Sequence, residues 1–289
     1  MRILILGGDG MLGHQLLLSW RQQHEVCVTL RHDISGYAAY GLFDTENSFD
    51  GVDVRGFEAI EKTVASFAPD AVVNAVGIVK QRQESHDAIA SIEINSLLPH
   101  RLAALCQKRD IRLVHLSTDC VFSGSRGMYV ESDLPDASDL YGRSKLLGEV
   151  AQSPAITLRT SIIGLELARR QSLIEWFLAQ RGTVRGFRRA IYSGFTTMEM
   201  ARIIESLLMR REWVPGLWHV ASRPISKYDL LCKLSGRLGD RDVCIEAEDD
   251  FACERSLDAS RFNAEFVYTP PAWDVMLDEL AQQIQERDQ

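Results

Sequence analysis

Tyr141-Gly142-Arg143-Ser144-Lys145 sets a phenol and an ammonium four residues apart, and on a helix that spacing stacks them on one face, one turn above the other. A phenol titrates at about 10, so near neutrality it is a poor base and a sluggish acid. A lysine ammonium one turn away favours the phenolate and draws the group toward a range useful for exchanging a proton with a carbonyl or an alcohol. Taken alone, the pair also suits an ordinary solvated helix start. Upstream, Leu113-Val114-His115-Leu116-Ser117-Thr118-Asp119 is an apolar run ending in hydroxyls and a carboxylate, which reads as a buried strand delivering polar groups at its carboxyl end.

At the amino terminus, Arg2 to Leu6 reads as a strand, Gly7-Gly8-Asp9-Gly10-Met11-Leu12-Gly13 as a tight turn, and Leu16 to Trp20 as part of an amphipathic helix. Glycines at 7, 10 and 13 permit positive φ and close approach to a pyrophosphate, whose charge the helix amino terminus favours. A second strand, Val26 to Leu30, ends in Arg31-His32-Asp33, about 18 residues past Gly13, where an acid would hold an NAD ribose and a base an NADP phosphate. Arg31 comes first after the strand, so NADP(H) is preferred over NAD(H), with Asp33 as the counter-candidate.

These groups need a frame. Gly51-Val52-Asp53-Val54 reads as a strand end, Phe57 to Phe67 as a helix, and Ala71-Val72-Val73-Asn74-Ala75-Val76-Gly77 as a central strand whose small residues let backbone approach a flat ring. A helix from about His86 to Lys108 holds Pro99, which must kink or loosen a turn, and Asn95, either a satisfied core amide or part of a proton relay. Ala155 to Ser161 forms a further strand. Gln171 to Gln180 reads as a helix and Arg181 to Arg189 as a loop whose four arginines suit a diphosphate or plain solvent. Thr196-x-x-Glu199 is a capping box opening a helix to about Arg210, Gly216 to Ala221 a strand, and Ser226 and Pro270-Pro271 introduce two last helices. Strands alternating with helices predict an α/β fold, a Rossmann-like doubly wound parallel sheet with a smaller C-terminal substrate-binding region. The expected division is 1–160 for the NAD(P)-binding domain, with 190–223 returning to it, and 161–289 mainly for substrate.

Composition narrows the class. With 289 residues, 46% of them hydrophobic, the chain can bury a full core. A net charge of −8 argues against a nucleic-acid or anionic-membrane partner. Six scattered cysteines with no CxxC point to reduced thiols in a cytoplasmic protein, and no metal is expected. No apolar run is long enough to span a membrane.

Together these motifs resemble the extended short-chain dehydrogenase/reductase superfamily over nearly the whole chain. Ser117-Thr118-Asp119-x-Val121-Phe122-x-Gly124, then Tyr129-x-Glu131 and Tyr141 with Lys145, look like its dTDP-4-dehydrorhamnose reductase branch, as do Arg159-Thr160-Ser161 and Gly194-Phe195-Thr196-Thr197. The resemblance implies reduction of a 4-keto group on a nucleotide-activated deoxysugar by NADPH or NADH, in cell-surface polysaccharide sugar biosynthesis. It implies that Tyr141 protonates the carbonyl oxygen, Lys145 holds the nicotinamide ribose, and Thr118 and Asp119 meet substrate. Gly7, Gly10, Met11, Leu12, Gly13, Arg31, Ala75 and Val76 would line the cofactor site, with Asp53 and Val54 flanking the adenine. A homodimer is left open.

Two alternatives accompany it. Cys120 stands where GDP-fucose synthases place an epimerising cysteine, so an epimerase or epimerase-reductase is one. A non-catalytic NADP-binding regulatory subunit is the other. Asp119 is followed by Cys120 instead of the glutamate of dehydratases, which argues against elimination. Specificity is expected in the irregular stretches 77–85, 123–135 and 181–195.

Overall fold

The computed structural model describes residues 1–79, 87–239 and 242–288. Its strands are β1 Arg2–Leu6, β2 Glu25–Thr29, β3 Ser48–Phe49, β4 Ala71–Asn74, β5 Arg112–Leu116, β6 Ala155–Arg159, β7 Ile162–Ile163, β8 Gly182–Tyr192, β9 Phe195–Thr196, β10 Gly216–His219, β11 Ile225–Ser226 and β12 Val243–Glu254. The α-helices are α1 Met11–Trp20, α2 Phe57–Phe67, α3 Ala88–Ser91, α4 Leu98–Arg109, α5 Leu140–Leu147, α6 Leu173–Leu178, α7 Thr197–Leu208, α8 Lys227–Arg237, α9 Ser260–Phe266 and α10 Trp273–Asp288.

β1, β4, β5 and β6 are rich in aliphatic residues and buried along nearly their whole length, as suits strands covered on both faces. Seven strands form one sheet in the order β10-β6-β5-β4-β1-β2-β3. β1 pairs in parallel with β2 and β4, and β4–β5, β5–β6 and β2–β3 are parallel as well. The order therefore reverses between β1 and β4, the topological switch point outside which such sheets bind ligands. This is the Rossmann-like doubly wound α/β fold. The α2 helix buries Ile60, Thr63, Val64 and Phe67, a helical stripe packed with Leu4, Val72, Leu102 and Cys106.

The chain divides into two units: residues 1–117 with 138–158 and 200–217, and residues 118–137 with 159–199 and 218–289. The second holds a sheet of order β11-β8-β12 and the short pair β7-β9. There β11 runs antiparallel and β12 parallel to β8, with a register irregularity between Glu248 and Ala252. β12 ends that strand order and is exposed over most of its length.

Several local expectations change. The strand beside β2 is Ser48–Phe49, and Gly51 to Val54 follow it. Residues 182 to 192 are strand β8, not a loop, and two of the four arginines expected there, Arg185 and Arg188, sit on an exposed face and pair with Glu248 and Asp249 of β12. The helix expected from His86 begins at Ala88 within the described residues, and His86 lies outside them. It is broken as Pro99 requires: Ile92–Leu97 is a π-helical turn, and α4 starts with Pro99 in its first turn.

Candidate active site

In the first unit the glycine turn joins β1 to α1 at the switch point. Gly7 has φ of +86°, a value that favours glycine, and a Cβ there would stand 2.9 Å from Val76 Cγ2 and 3.5 Å from the Val76 amide nitrogen. The turn after β4, carrying Ala75 and Val76, therefore lies directly against it. A Cβ on Gly13 would come to 2.0 Å from the Gly7 carbonyl oxygen, so helix and turn pack backbone to backbone. Gly10 has an ordinary φ of −76°; it is the N-cap of α1, donates no side-chain cap and has no acid in the first turn after it, so the amides at Met11 and Leu12 open a helix end suited to an anion.

At the end of β2, Arg31 is exposed. Asp33 is engaged locally, accepting from the amide and hydroxyl of Ser35 as the N-cap of a short helical turn, and those bonds hold its carboxyl below the usual range. Asp53 is gripped by the Arg55 guanidinium, with Nε 3.1 Å from each carboxylate oxygen, and its carboxyl is lowered to about 2 mainly by that bond. Val54 packs partly buried against the core.

Helix α5 opens with Asp139, whose carboxylate accepts from the Gly142 amide at 2.8 Å. It carries Tyr141, partly buried, and Lys145, fully buried. Lys145 Nζ donates to the Leu116 carbonyl at the end of β5, at 2.5 Å. Burial brings the ammonium down to about 8, opposed by the Glu149 carboxylate. Between them Ser144 donates to the Tyr141 carbonyl at 3.0 Å and accepts from Asn95 Nδ2 at 3.1 Å. Asn95 also accepts from the Ile78 amide and donates to its carbonyl. Asn95 is thus a satisfied core amide, and it ties α5 to the segment that follows β4.

Thr118 and Asp119 fall in the second unit. The Thr118 hydroxyl donates to Asp119 Oδ1 at 3.1 Å and accepts from the Cys120 amide. Burial pushes the Asp119 carboxyl up. The Cys120 thiol is pushed up to about 12, by burial and then by Asp119, with Arg255 Nη1 at 3.7 Å. Burial therefore favours the neutral thiol at rest. Tyr129-x-Glu131 anchors the segment beyond: Glu131 accepts from the His219 amide, His219 Nδ1 bonds the Tyr129 carbonyl at 2.9 Å, and Tyr129 stacks on Phe122 at 4.2 Å. Arg159 Nη1 is 3.2 Å from His219 Nε2. A guanidinium only donates, so Nε2 accepts and the imidazole is the neutral Nδ1–H form.

Arg255, Glu149 and His219 escaped the sequence reading. Arg255 lies 135 residues from Cys120, and no local spacing marks it. Glu149 had a signal, one helical turn after Lys145, and it also accepts from Ser117 at 2.6 Å.

The doubly wound sheet, the glycine turn at its reversal and the Tyr-x-x-x-Lys helix define an extended short-chain dehydrogenase/reductase fold. The chain belongs to the RmlD substrate binding domain family, whose model matches residues 1–286. It is 26% identical to the dTDP-4-dehydrorhamnose reductase of Aggregatibacter actinomycetemcomitans over 245 residues, 79% of this chain and 76% of that one. It is 32% identical to the probable low-salt glycan biosynthesis reductase Agl14 of Haloferax volcanii over 174 residues, 56% of this chain and 54% of that one. The chain spans about half the length of several curated relatives it matches. The crystal structure of the Bacillus anthracis dTDP-4-dehydrorhamnose reductase in complex with NADP superposes with a TM-score of 0.78 at 19% identity, covering 98% of this chain and 99% of that chain, a likeness of fold. No helix among the described residues is long and apolar enough to cross a membrane.

Proposed function

We propose that this protein is an NADPH-dependent reductase of a 4-keto group on a nucleotide-activated deoxysugar, with the first unit taking the cofactor and the second supplying most substrate contacts. The observation that carries the reading is the buried Lys145 ammonium on the helix of Tyr141, held by the Leu116 carbonyl. The residues fit a dinucleotide: the uncapped α1 terminus suits a pyrophosphate, and the Gly7–Val76 approach leaves a cradle that a Cβ would fill. The nicotinamide, when bound, supplies the hydride. The Tyr141 hydroxyl would give its proton to the carbonyl oxygen as charge develops there, and the Lys145 ammonium would favour the resulting phenolate and hold the ribose. Thr118 would orient the substrate oxygen, with the buried Asp119 beside it accepting its hydroxyl proton in a hydrogen bond.

NADP(H) is favoured over NAD(H) because Arg31 is exposed directly after β2, while the carboxylate of Asp33, two residues on, is engaged by the amide and hydroxyl of Ser35. Replacing Arg31 with alanine is expected to weaken NADPH binding about tenfold or more and to leave NADH within about twofold, a loss on the scale of one charge-assisted phosphate contact. Fluorescence titrations with both nucleotides check it, and equal NADPH affinities would remove Arg31 from phosphate recognition.

The purified protein should oxidise NADPH in the presence of dTDP-4-keto-6-deoxy sugars and release a 4-hydroxy product. Absence of turnover across dTDP-, UDP- and GDP-linked keto sugars would defeat the proposal. Cys120→Ala should keep turnover within about threefold, because hydride delivery and protonation by Tyr141 do not call on the thiol. Solvent deuterium appearing at C3 or C5 of the product would instead indicate epimerisation.

A further inference from the structure

His115, on β5 one residue before the carbonyl that holds Lys145, is buried, and among the described residues its Nε2 has no hydrogen-bond partner. Its tautomer follows from its neighbours. The Val76 amide donates to Asn74 Oδ1 at 3.2 Å, which turns the Asn74 Nδ2 toward His115 Nδ1, 3.1 Å away. A carboxamide nitrogen donates only, so Nδ1 accepts and the ring proton lies on Nε2. Flipping the carboxamide would satisfy the ring differently but leave the Val76 amide facing another N–H. Unpartnered buried donors are uncommon in native cores, and the Asn74 contact places this one on Nε2. Burial, then the Lys145 and His100 charges, hold the ring well below its ordinary titration range, so it stays an acceptor.

We infer that His115 and Asn74 act together as positioning residues for the cofactor. The ring holds the Asn74 carboxamide in the orientation that fixes the Val76 amide, and with it the Ala75-Val76 backbone that lies against Gly7. The inference rests on the reading that the first unit binds a pyridine nucleotide. The neighbourhood agrees: Asn74 and His115 are directly paired across β4 and β5, so the contact spans the strand that carries the cofactor turn and the strand that anchors Lys145.

The test uses the full chain and NADPH. His115→Phe keeps the ring's bulk and removes the acceptor; it should weaken NADPH binding about tenfold or more, while kcat at saturating NADPH falls no more than about threefold. His115→Asn offers a carboxamide oxygen near the position of Nδ1 and should recover most of the affinity, a rescue that a merely space-filling role would not give. Should the phenylalanine variant not fold, Asn74→Leu, which takes the acceptor from Val76, reads the same loss. Wild-type NADPH affinity in the folded His115→Phe or Asn74→Leu protein overturns the inference, as does failure of His115→Asn to bind more tightly than His115→Phe. Failure of the unmodified protein to bind NADPH would instead strike the cofactor reading itself.

Discussion

Tyr141→Phe is expected to lower kcat for the keto-sugar nucleotide about 100-fold or more while the Kd for NADPH stays within about twofold. Phenylalanine keeps the ring that packs partly buried on α5 and loses only the hydroxyl, so the change falls on proton transfer and not on the fold. The backbone there is held independently of that hydroxyl: the Asp139 cap, the Ser144 bond to the Tyr141 carbonyl and the Asn95 contact to Ser144 all survive the substitution. Pre-steady-state mixing of enzyme, NADPH and substrate separates a slowed chemical step from slowed release. Turnover within about threefold of the wild type would show that another group delivers the proton.

Lys145→Met should abolish most turnover and yet make the protein more stable. An ammonium titrating at about 8 in place of 10.5 adds a folding cost on the order of 3 kcal/mol near neutrality. Loss of its bond to the Leu116 carbonyl returns roughly 1 kcal/mol of that. A net gain of about 1 to 3 kcal/mol near pH 7 is therefore expected in urea denaturation. The sign follows from linkage. Between about 8 and 10.5 the unfolded lysine keeps a proton that the folded one has released, so wild-type stability rises with pH across that window and the advantage of methionine shrinks. The same titration predicts that wild-type turnover declines as pH climbs through about 8, when the ammonium that favours the phenolate is lost. A methionine variant less stable than wild type near pH 7 would mean that the ammonium is better compensated than its burial implies.

The sheet was legible because burial on both faces leaves β1, β4, β5 and β6 rich in aliphatic residues, with only a few polar side chains such as Asn74, His115 and Thr157 among them. Pro99 announced the π-helical turn, since its missing N–H must break the ladder somewhere upstream. β12 left no such trace. Most of its residues are exposed and its centre is a run of acids, so neither alternation nor an apolar stretch marks it. Its partner β8 was misread for the same reason, because arginines on a solvent face look like a loop until the acids opposite them are known. Tyr141 and Lys145 could be found because their relation is local, four residues on one helix. The contacts that fix their helix are not local: Asn95 reaches Ser144 across 49 residues, and Lys145 reaches the Leu116 carbonyl across 29.

The placement of β12 at the margin of its three-stranded sheet bears on colloidal behaviour. An outermost strand leaves amide and carbonyl groups along one flank available for pairing with another chain. Glu246 and Asp250 add negative charge beside the Glu248 and Asp249 carboxylates that pair with β8, and the slip in pairing between Glu248 and Ala252 disturbs the straight run a second ribbon would need. Two such margins brought side by side would set Glu246 and Asp250 of one copy near those of the other and would lack a continuous ladder, both of which disfavour growth into fibres from this flank.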